Sequence, residues 1–282
     1  MKDVKICYSI RDNIGDAINP YIVERVLGYK PIHADAYHCE VSGIGSGLGR
    51  FFYDPDLYTY LGKAKRDIFR YIYLKPVYLW SSGFISTPKG IEKKLRANII
   101  PAAVRGNLSL KYIEEFIGKK CENCAVGDAG ILASELIDKN IQKKYKLGII
   151  PHDNERGHEV YNKIQQKNEN SVIIDVRGDV FERLNLIAQC ECIISSSLHG
   201  LIIADGLHIP NRQVVLTDKL AGDGFKFADY YSSYGLVPNP IDLNRNIDFN
   251  IYDILDNYII KKNVVEEKKK ELSEAFLRCF EF

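Results

Sequence analysis

The sequence predicts an α/β protein of two lobes, each a parallel sheet covered by helices, facing one another across a cleft. Three observations predict it. Short apolar runs of strand length alternate with stretches of helical spacing through both halves of the 282-residue chain, the pattern of parallel sheets whose crossovers are helices. Several of these strands end in small or polar residues just before a helix begins, where open sheets of this class place ligand contacts. A charged, polar segment over residues 138–146 divides the two halves and reads as an inter-domain linker. The lobes so defined cover 1–140 and 145–262. A charged amphipathic helix over 264–282 then packs on one of them, with the first lobe as the candidate.

In the first lobe, residues 4–10, VKICYSI, have strand length. They lead to a helical face of Ile18, Tyr21, Ile22, Arg25 and Val26 that stops at Gly28. The loop between sets Asn13, Gly15 and Asp16 at the carboxyl end of the first strand. Residues 38–44 alternate polar and apolar and run into GIGSGLG. Such a loop brings backbone N–H groups near a ligand or simply turns at the surface. No Lys-Ser/Thr pair follows, which excludes a Walker loop, and without a clear helix after it the dinucleotide fingerprint fails too.

Residues 53–75 are rich in Tyr, Lys and Arg, with a helical pattern over 65–73. This is a surface suited to a sugar or membrane-linked acceptor, or to plain packing with snorkelling cations. A strand over 76–80 and another over 97–104 follow. The second ends at Arg105, where an arginine just before a helix is placed to fork onto a carboxylate or phosphate, or to make a surface ion pair. Residues 124–126 and a helix over 131–137 repeat the unit.

The second lobe opens with a strand over 147–151 ending at His152 and Asp153, a helix over 157–166, a strand over 171–176 and a helix over 180–190. The stretch 191–210, ECIISSSLHGLIIADGLHIP, is its focus. Cys192, Ile193 and Ile194 are too few for a helix and read as a buried strand. Ser195, Ser196 and Ser197 offer N-cap oxygens to a helix starting near Leu198, with Leu198, Leu201, Ile202 and Leu207 as its apolar positions. Its free N–H groups and dipole favour an anion, and His199 sits in its first turn. A strand over 213–216 and a short helix after Gly222 complete the lobe.

Composition narrows the function. A formal net charge of +1 argues against nucleic-acid binding, which usually shows a basic excess. No stretch reaches the ~20 apolar residues of a membrane span, and the start of the chain has no signal-peptide core, so a cytoplasmic location is expected. Of seven cysteines, only Cys121 and Cys124 make a CxxC pair, with no second pair or suitably spaced histidine to complete a zinc site. Cys190 and Cys192 read as small buried residues.

Several motifs in fixed order then carry a resemblance. These are Ile194-Ser195-Ser196-Ser197-Leu198-His199-Gly200 with Ala204-Asp205 and Ile209-Pro210; Val104-Arg105-Gly106 with Leu108 and Ser109; Val126-Gly127-Asp128; Ile150-Pro151-His152; and Phe225-Lys226-Phe227 with Asp229-Tyr230-Tyr231. Together with the Asn13–Asp16 loop, the chain resembles the polysaccharide pyruvyl transferases over most of its length. Two departures stand in loops: Asn107 where proline is expected, and Ser81 where glycine is expected. The resemblance implies two Rossmann-like lobes in a GT-B-like arrangement. It also implies transfer of pyruvate from phosphoenolpyruvate, as donor substrate and without a further cofactor, onto two hydroxyls of a sugar, giving a cyclic ketal and phosphate. The acceptor so implied is a capsular, exopolysaccharide or cell-wall glycan or a lipid-linked sugar at the inner face of a membrane, which brings peripheral membrane contact into play.

That chemistry needs a proton delivered to the donor's methylene carbon, a base for the attacking hydroxyls, and donors for the carboxylate and departing phosphate. His199 is the candidate for proton transfer, as acid or as base. Asp16 is the candidate hydroxyl base and Arg105 the anion clamp. Ser195, Ser196, Ser197 and Leu198, with the N–H groups behind them, are candidates to hold the phosphate, and Asn13, Gly15 and His152 to line the cleft. His152 reads equally as a structural histidine, and His199 has the alternative of a cap bonded to backbone. No metal is required, because cations and helix dipoles can balance the donor's charge. Two rivals stay open: a nucleotide-sugar glycosyltransferase, with Asp223 or Asp229 receiving a ribose, and a non-catalytic glycan-binding relative. The acceptor sugar and the oligomeric state are not legible.

Overall fold

The computed structural model describes residues 1–53, 75–88, 94–96, 98–138, 140–217 and 222–281. The aromatic and basic stretch over 53–75 therefore falls almost wholly outside the described residues.

The first sheet is built from β1 (Asp3–Cys7), β2 (Lys30–His33), β3 (Val41–Ser42), β5 (Val77–Leu79) and β7 (Ile99–Pro101), in the order β2-β1-β3-β5-β7. The second uses β10 (Tyr145–Ile150), β11 (Ser171–Ile173), β12 (Cys190–Ser195), β13 (Asn211–Val215) and β14 (Ile241–Asp242), in the order β11-β10-β12-β13-β14. All of these pairings are parallel. Both sheets start in the middle, step outward once and then reverse, so each has a switch point beside its first strand, where a crevice opens at the carboxyl ends. Two further short pairings join β4 (Phe52–Tyr53) to β6 (Lys94–Leu95) and β8 (Ala103–Val104) to β9 (Ala125–Val126). The chain is thus an α/β protein of two Rossmann-like lobes.

The first helix starts earlier than its apolar spacing suggests. α1 (Ile14–Tyr21) is capped by Asn13, whose Oδ1 accepts from the Gly15 N–H at 3.1 Å, so Gly15 and Asp16 belong to its first turn. Pro20 lies inside it and has no N–H for the Asp16 carbonyl. The side-chain amide of Asn19 donates to that carbonyl instead, at 3.0 Å. The helix then widens into a π turn over Ile22–Val26 and ends near Gly28, in the left-handed region at φ 77°.

Between the sheets, α2 (Asn107–Ile117) follows β8, and a 3₁₀ helix (Ala129–Leu136) takes the place of the expected α-helix over 131–137. The second lobe supplies α3 (Glu159–Lys167), α4 (Val180–Ala188), α5 (Leu198–Gly206) and α6 (Phe225–Ser232). The expected linker is shorter than its composition suggests, because β10 already begins at Tyr145. α7 (Ile251–Asp256) lacks a sequence signal long enough to have been read.

α5 departs from its expected one-sided apolar face. Leu198, Gly200, Leu201, Ile202, Ile203, Ala204, Asp205 and Gly206 are all buried. An all-round apolar helix must be covered on every side: its own sheet covers one and the 3₁₀ helix the other, so closely that a Cβ on Gly206 would stand 2.3 Å from the Ile131 carbonyl oxygen.

The lobes are joined as well as apposed. Ile14 N–H donates to the Val176 carbonyl at 2.7 Å and Gly178 N–H to Asp12 at 2.9 Å. Arg25 lies over the Phe181 ring at 4.5 Å, and one core cluster runs from Ile14 and Ile18 to Val176 and Leu184. The last helix, α8 (Lys262–Arg278), lies on the first lobe: Trp80 Nε1 donates to the Leu272 carbonyl at 2.9 Å, and Phe276 sits edge-on to Trp80 and Tyr29.

The two departures from the family pattern have physical accounts. Ser81 holds φ 66°, a conformation glycine adopts freely. Its strain is offset because its Oγ donates to the Gly127 carbonyl at 2.8 Å and accepts from the Ala129 N–H. Asn107 is the first residue of α2, the position proline favours, and its amide instead donates to the Ser232 carbonyl of α6 at 2.6 Å. Cys190 and Cys192 are buried. Among the described residues no helix is long and apolar enough to cross a membrane.

Phe276 is fully buried. Replacing it by alanine is expected to lower the unfolding free energy by about 3–5 kcal/mol in urea titrations. Val237→Ala, at a side chain 84% exposed, should stay within about 0.5 kcal/mol of the parent.

Candidate functional site

The switch points of the two sheets meet at a cleft with a cavity volume of about 650 Å³. From the first lobe come Asn13 and Asp16 after β1, with Ser46 and Arg50 from the glycine-rich segment after β3. From the second come His152 after β10, and Ser197, Leu198 and His199 at the β12–α5 junction. Asn13, Asp16, His152, Ser197, Leu198 and His199 are thereby brought to one wall-to-wall site, as their strand-end positions predict.

The triple serine divides its work. Ser195 is fully buried; its Oγ shares its one proton between the Ile150 carbonyl at the end of β10 and the Ser197 carbonyl in its own turn, and accepts from the Ser197 N–H. Ser196 Oγ lies 2.6 Å from Glu155 and 2.9 Å from the Tyr161 hydroxyl, and accepts from the His152 N–H at 2.8 Å. Neither lines the cleft, so the expectation that they hold a ligand is corrected: they fix the junction. Ser197 does line it. Its side chain makes no cap bond, which leaves the first-turn N–H groups of α5 uncapped and the positive end of the helix facing the cleft.

Gly15 is corrected in the same way. It is buried against the His199 ring, where a Cβ would stand 2.0 Å from Nδ1 and 2.2 Å from Cγ. Its missing side chain lets α1 and α5 approach across the lobes. The imidazole of His199 is clamped by this contact, with Nε2 turned inward, buried and without a hydrogen-bond partner among the described residues. Burial, then the positive charges of Arg105 and Lys226, push its pKa down to about 3, so the ring is neutral at physiological pH.

Arg105 is the largest correction. Its side chain is fully buried and lies behind the cleft wall: Nε donates to Asp229 at 2.9 Å, Nη1 to Ser46 Oγ at 2.9 Å and Nη2 to the Phe84 carbonyl. Asp229 also accepts from the N–H and hydroxyl of Ser109, both at 2.7 Å. The expected anion clamp is instead an ion-pair latch between the start of α2 and α6. Its charge reaches the cleft through Ser46 and through the field it adds at His199 and Lys226.

A buried cation does line the cleft beside Arg11, Arg50 and Arg177: Lys226, on α6. It is only 8% exposed, and burial, then Arg105, lowers its pKa to about 8. The residue was legible as part of Phe225-Lys226-Phe227 but not as a site residue. Its signal is a lysine between two aromatic residues that are themselves buried, which leaves the lysine no polar face of its own. Opposite, burial raises the Asp16 carboxyl to about 6, against the pull of Arg11 and Arg50. His152 caps a short turn through Nδ1 and is held below its ordinary pKa by burial and Lys226. The cleft therefore offers a helix N-terminus, an ammonium group and a neutral histidine on one side, and a carboxylate of raised basicity on the other. That set can bind a small anion and move protons beside it.

A family model described as polysaccharide pyruvyl transferase matches residues 9–214. An uncharacterized protein of Acanthamoeba polyphaga mimivirus is 27% identical over 287 residues, covering 96% of this chain and 90% of the relative. Among solved structures, a functionally uncharacterized protein from Klebsiella pneumoniae subsp. pneumoniae NTUH-K2044 is 16% identical with a TM-score of 0.44, covering 86% of this chain and 92% of the other. A Listeria monocytogenes protein provisionally assigned as a UDP-N-acetylglucosamine 2-epimerase is 11% identical with a TM-score of 0.49, covering 97% and 91%.

The Gly15 contact yields a direct test. Gly15→Ala is expected to lower stability by about 1–3 kcal/mol, as an added methyl does in a filled site. Combined with His199→Ala, much of that loss should return, and a double-mutant cycle read by chemical denaturation should give a coupling of about 0.5–3 kcal/mol.

Proposed function

Because this chain belongs to the polysaccharide pyruvyl transferase family, we propose that its cleft transfers pyruvate from phosphoenolpyruvate onto two hydroxyls of one sugar in a glycan or lipid-linked precursor. The observation that carries the reading is the pairing of the uncapped α5 N-terminus with Lys226 on one wall, against Asp16 on the other. The first pair suits the carboxylate and phosphate of a small donor with two anionic groups. The carboxylate opposite suits a sugar hydroxyl.

In this reading the methylene carbon of the donor takes a proton and becomes a methyl group, leaving oxocarbenium character at the neighbouring carbon. The first sugar hydroxyl bonds to that carbon and gives its proton to Asp16. The carbon–oxygen bond to phosphate breaks, phosphate leaves with the bonding pair, and the second hydroxyl closes the ketal, giving its proton to the departing phosphate. His199 exchanges the donor's proton. A bound anion beside it offsets the fields of Lys226 and Arg105 and raises its affinity for a proton, so the histidine carries the proton it delivers only when the donor is in place. No metal enters the scheme.

One observation weighs against a nucleotide-sugar glycosyltransferase. The acids that a ribose would need are already committed: Asp223 accepts from the Thr87 and Phe225 N–H groups, and Asp229 holds Arg105 and Ser109. We place the enzyme in the cytoplasm, working on acceptors presented at the inner membrane face, with no nucleic-acid partner.

Thermal unfolding with phosphoenolpyruvate, and separately with UDP-, GDP- and CMP-sugars, tests the donor. Phosphoenolpyruvate at one hundred times its dissociation constant should add about 2.7 kcal/mol, and Lys226→Ala should remove the shift. Stabilisation by a nucleotide sugar instead would overturn the reading. Arg105→Ala is unsuitable as this probe, since stranding Asp229 in the interior should itself cost about 3–5 kcal/mol.

The base has a pH signature. Asp16 must be ionised to accept a proton, so kcat/KM for the acceptor should fall as pH drops through about 6. Asp16→Asn should lower kcat by roughly 100- to 10,000-fold and erase that limb of the profile.

A further inference from the structure

The Val126-Gly127-Asp128 motif has no part in the scheme so far, yet Asp128 is buried and is among the described residues whose side chains have an unused polar atom. It caps the 3₁₀ helix over Ala129–Leu136: Oδ1 accepts from the Gly130 N–H at 2.9 Å. Oδ2 is buried and has no partner among the described residues. The same holds for His199 Nε2. The two groups flank one point. A Cβ on Gly130 would stand 3.0 Å from Asp128 Oδ1 and 3.7 Å from His199 Cδ2, the ring atom bonded to Nε2.

We propose that Asp128 is the positioning residue for His199, its spare Oδ2 accepting the Nε2 proton through one buried water, so that Nδ1 is the nitrogen offered to the cleft. This rests on the reading of His199 as the proton-exchanging group. An unpaired buried donor and an unpaired buried acceptor each carry a desolvation penalty. Pairing them removes both, and a buried water typically bonds otherwise unsatisfied polar groups of this kind.

Other neighbours do not compete for the role. Arg105 and Asp229 bear electrostatically on Asp128 but are bonded to each other. Burial raises the Asp128 carboxyl to about 6, with the Gly130 N–H and Arg105 holding it down, so at neutral pH it is mainly an acceptor. A neutral imidazole with its proton fixed on Nε2 presents a bare Nδ1. It can take a proton at Nδ1 when an anion is bound, and the imidazolium so formed is stabilised by the carboxylate behind it. The orientation thus decides which nitrogen does the exchange, a question that the position of His199 in its helix leaves open.

The test uses Asp128→Asn in the full chain. Asparagine caps helices as well as aspartate does, and with Oδ1 still held by the Gly130 N–H, its NH₂ group must take the place of Oδ2. A donor would then face the bridging water, which turns a proton of its own toward Nε2, making that nitrogen the acceptor and placing the ring proton on Nδ1. Two-bond ¹H–¹⁵N correlation spectra of imidazole-labelled protein read this directly, without substrate, so they stand whether or not the donor assignment does. The wild type should show His199 as the Nε2–H tautomer and the variant as Nδ1–H. An Nδ1–H tautomer in the wild type would overturn the proposal even if the variant failed to fold, as would an unchanged tautomer in a folded variant. With phosphoenolpyruvate and acceptor, kcat should drop by roughly 100-fold or more, with KM for the donor and the melting temperature unchanged. A flipped tautomer with full activity would instead fault the role given to His199, leaving the contact itself in place.

Discussion

The helix Leu198–Gly206 can exist only if it is covered on all sides, and much of the molecule is arranged to meet that condition. With eight of its residues buried, it has no face that water could solvate cheaply. Its own sheet supplies half the cover. More comes from α1 and α4, and above all from the first-lobe segment Ala129–Leu136, which approaches to backbone contact at Gly206. The lobes are therefore held together by an apolar element whose amino end has to emerge somewhere, and it emerges at the crevice where both sheets reverse their strand order. A buried helix whose uncapped N-terminus opens on a cleft is a fixed positive pole.

Charge in the site is layered. The Arg105–Asp229 pair sits behind the wall with its hydrogen-bonding groups turned on one another, on Ser46, Phe84 and Ser109. A buried pair of this kind is weak evidence of stability in itself. Here it also acts at a distance, holding down the proton affinity of both His199 and Lys226. Burial and this positive field together leave the histidine neutral and the lysine a weaker base than an exposed one.

The sheet architecture was legible in the sequence because its strands are apolar runs cut off by small residues, and the alternation survives in both lobes. What escaped was short or solvated. Lys30–His33 is an edge strand with three of its four residues exposed, and Ile241–Asp242 is two residues long. The start of α1 was hidden by Gly15 and Pro20, whose effects are compensated by an N-cap and an asparagine amide that spacing cannot reveal. In the site, strand-end position correctly gathered Asn13, Asp16, His152, Ser197, Leu198 and His199 to one cleft, since topology alone delivers residues there. It failed for Gly15, Ser195, Ser196 and Arg105 because a strand end has two sides. Whether a side chain faces the crevice or the packing behind it depends on partners far off in the chain, such as Glu155 for Ser196 and Asp229 for Arg105. Lys226 was missed for the converse reason: it reaches the cleft from a helix rather than from a strand end.

The contacts that cross between the lobes have a consequence for how this chain could change over time. One apolar cluster spans both halves, Ile14 is bonded to Val176 and Asp12 to Gly178, and α8 returns from the end of the second lobe to close over Trp80. Neither half carries a complete surface of its own. Exchange of one lobe for that of a distant relative would leave greasy, mismatched faces on both partners. The halves are bound to be inherited together, and new acceptor preferences are easier to acquire at the rim of the cleft than by recombining lobes.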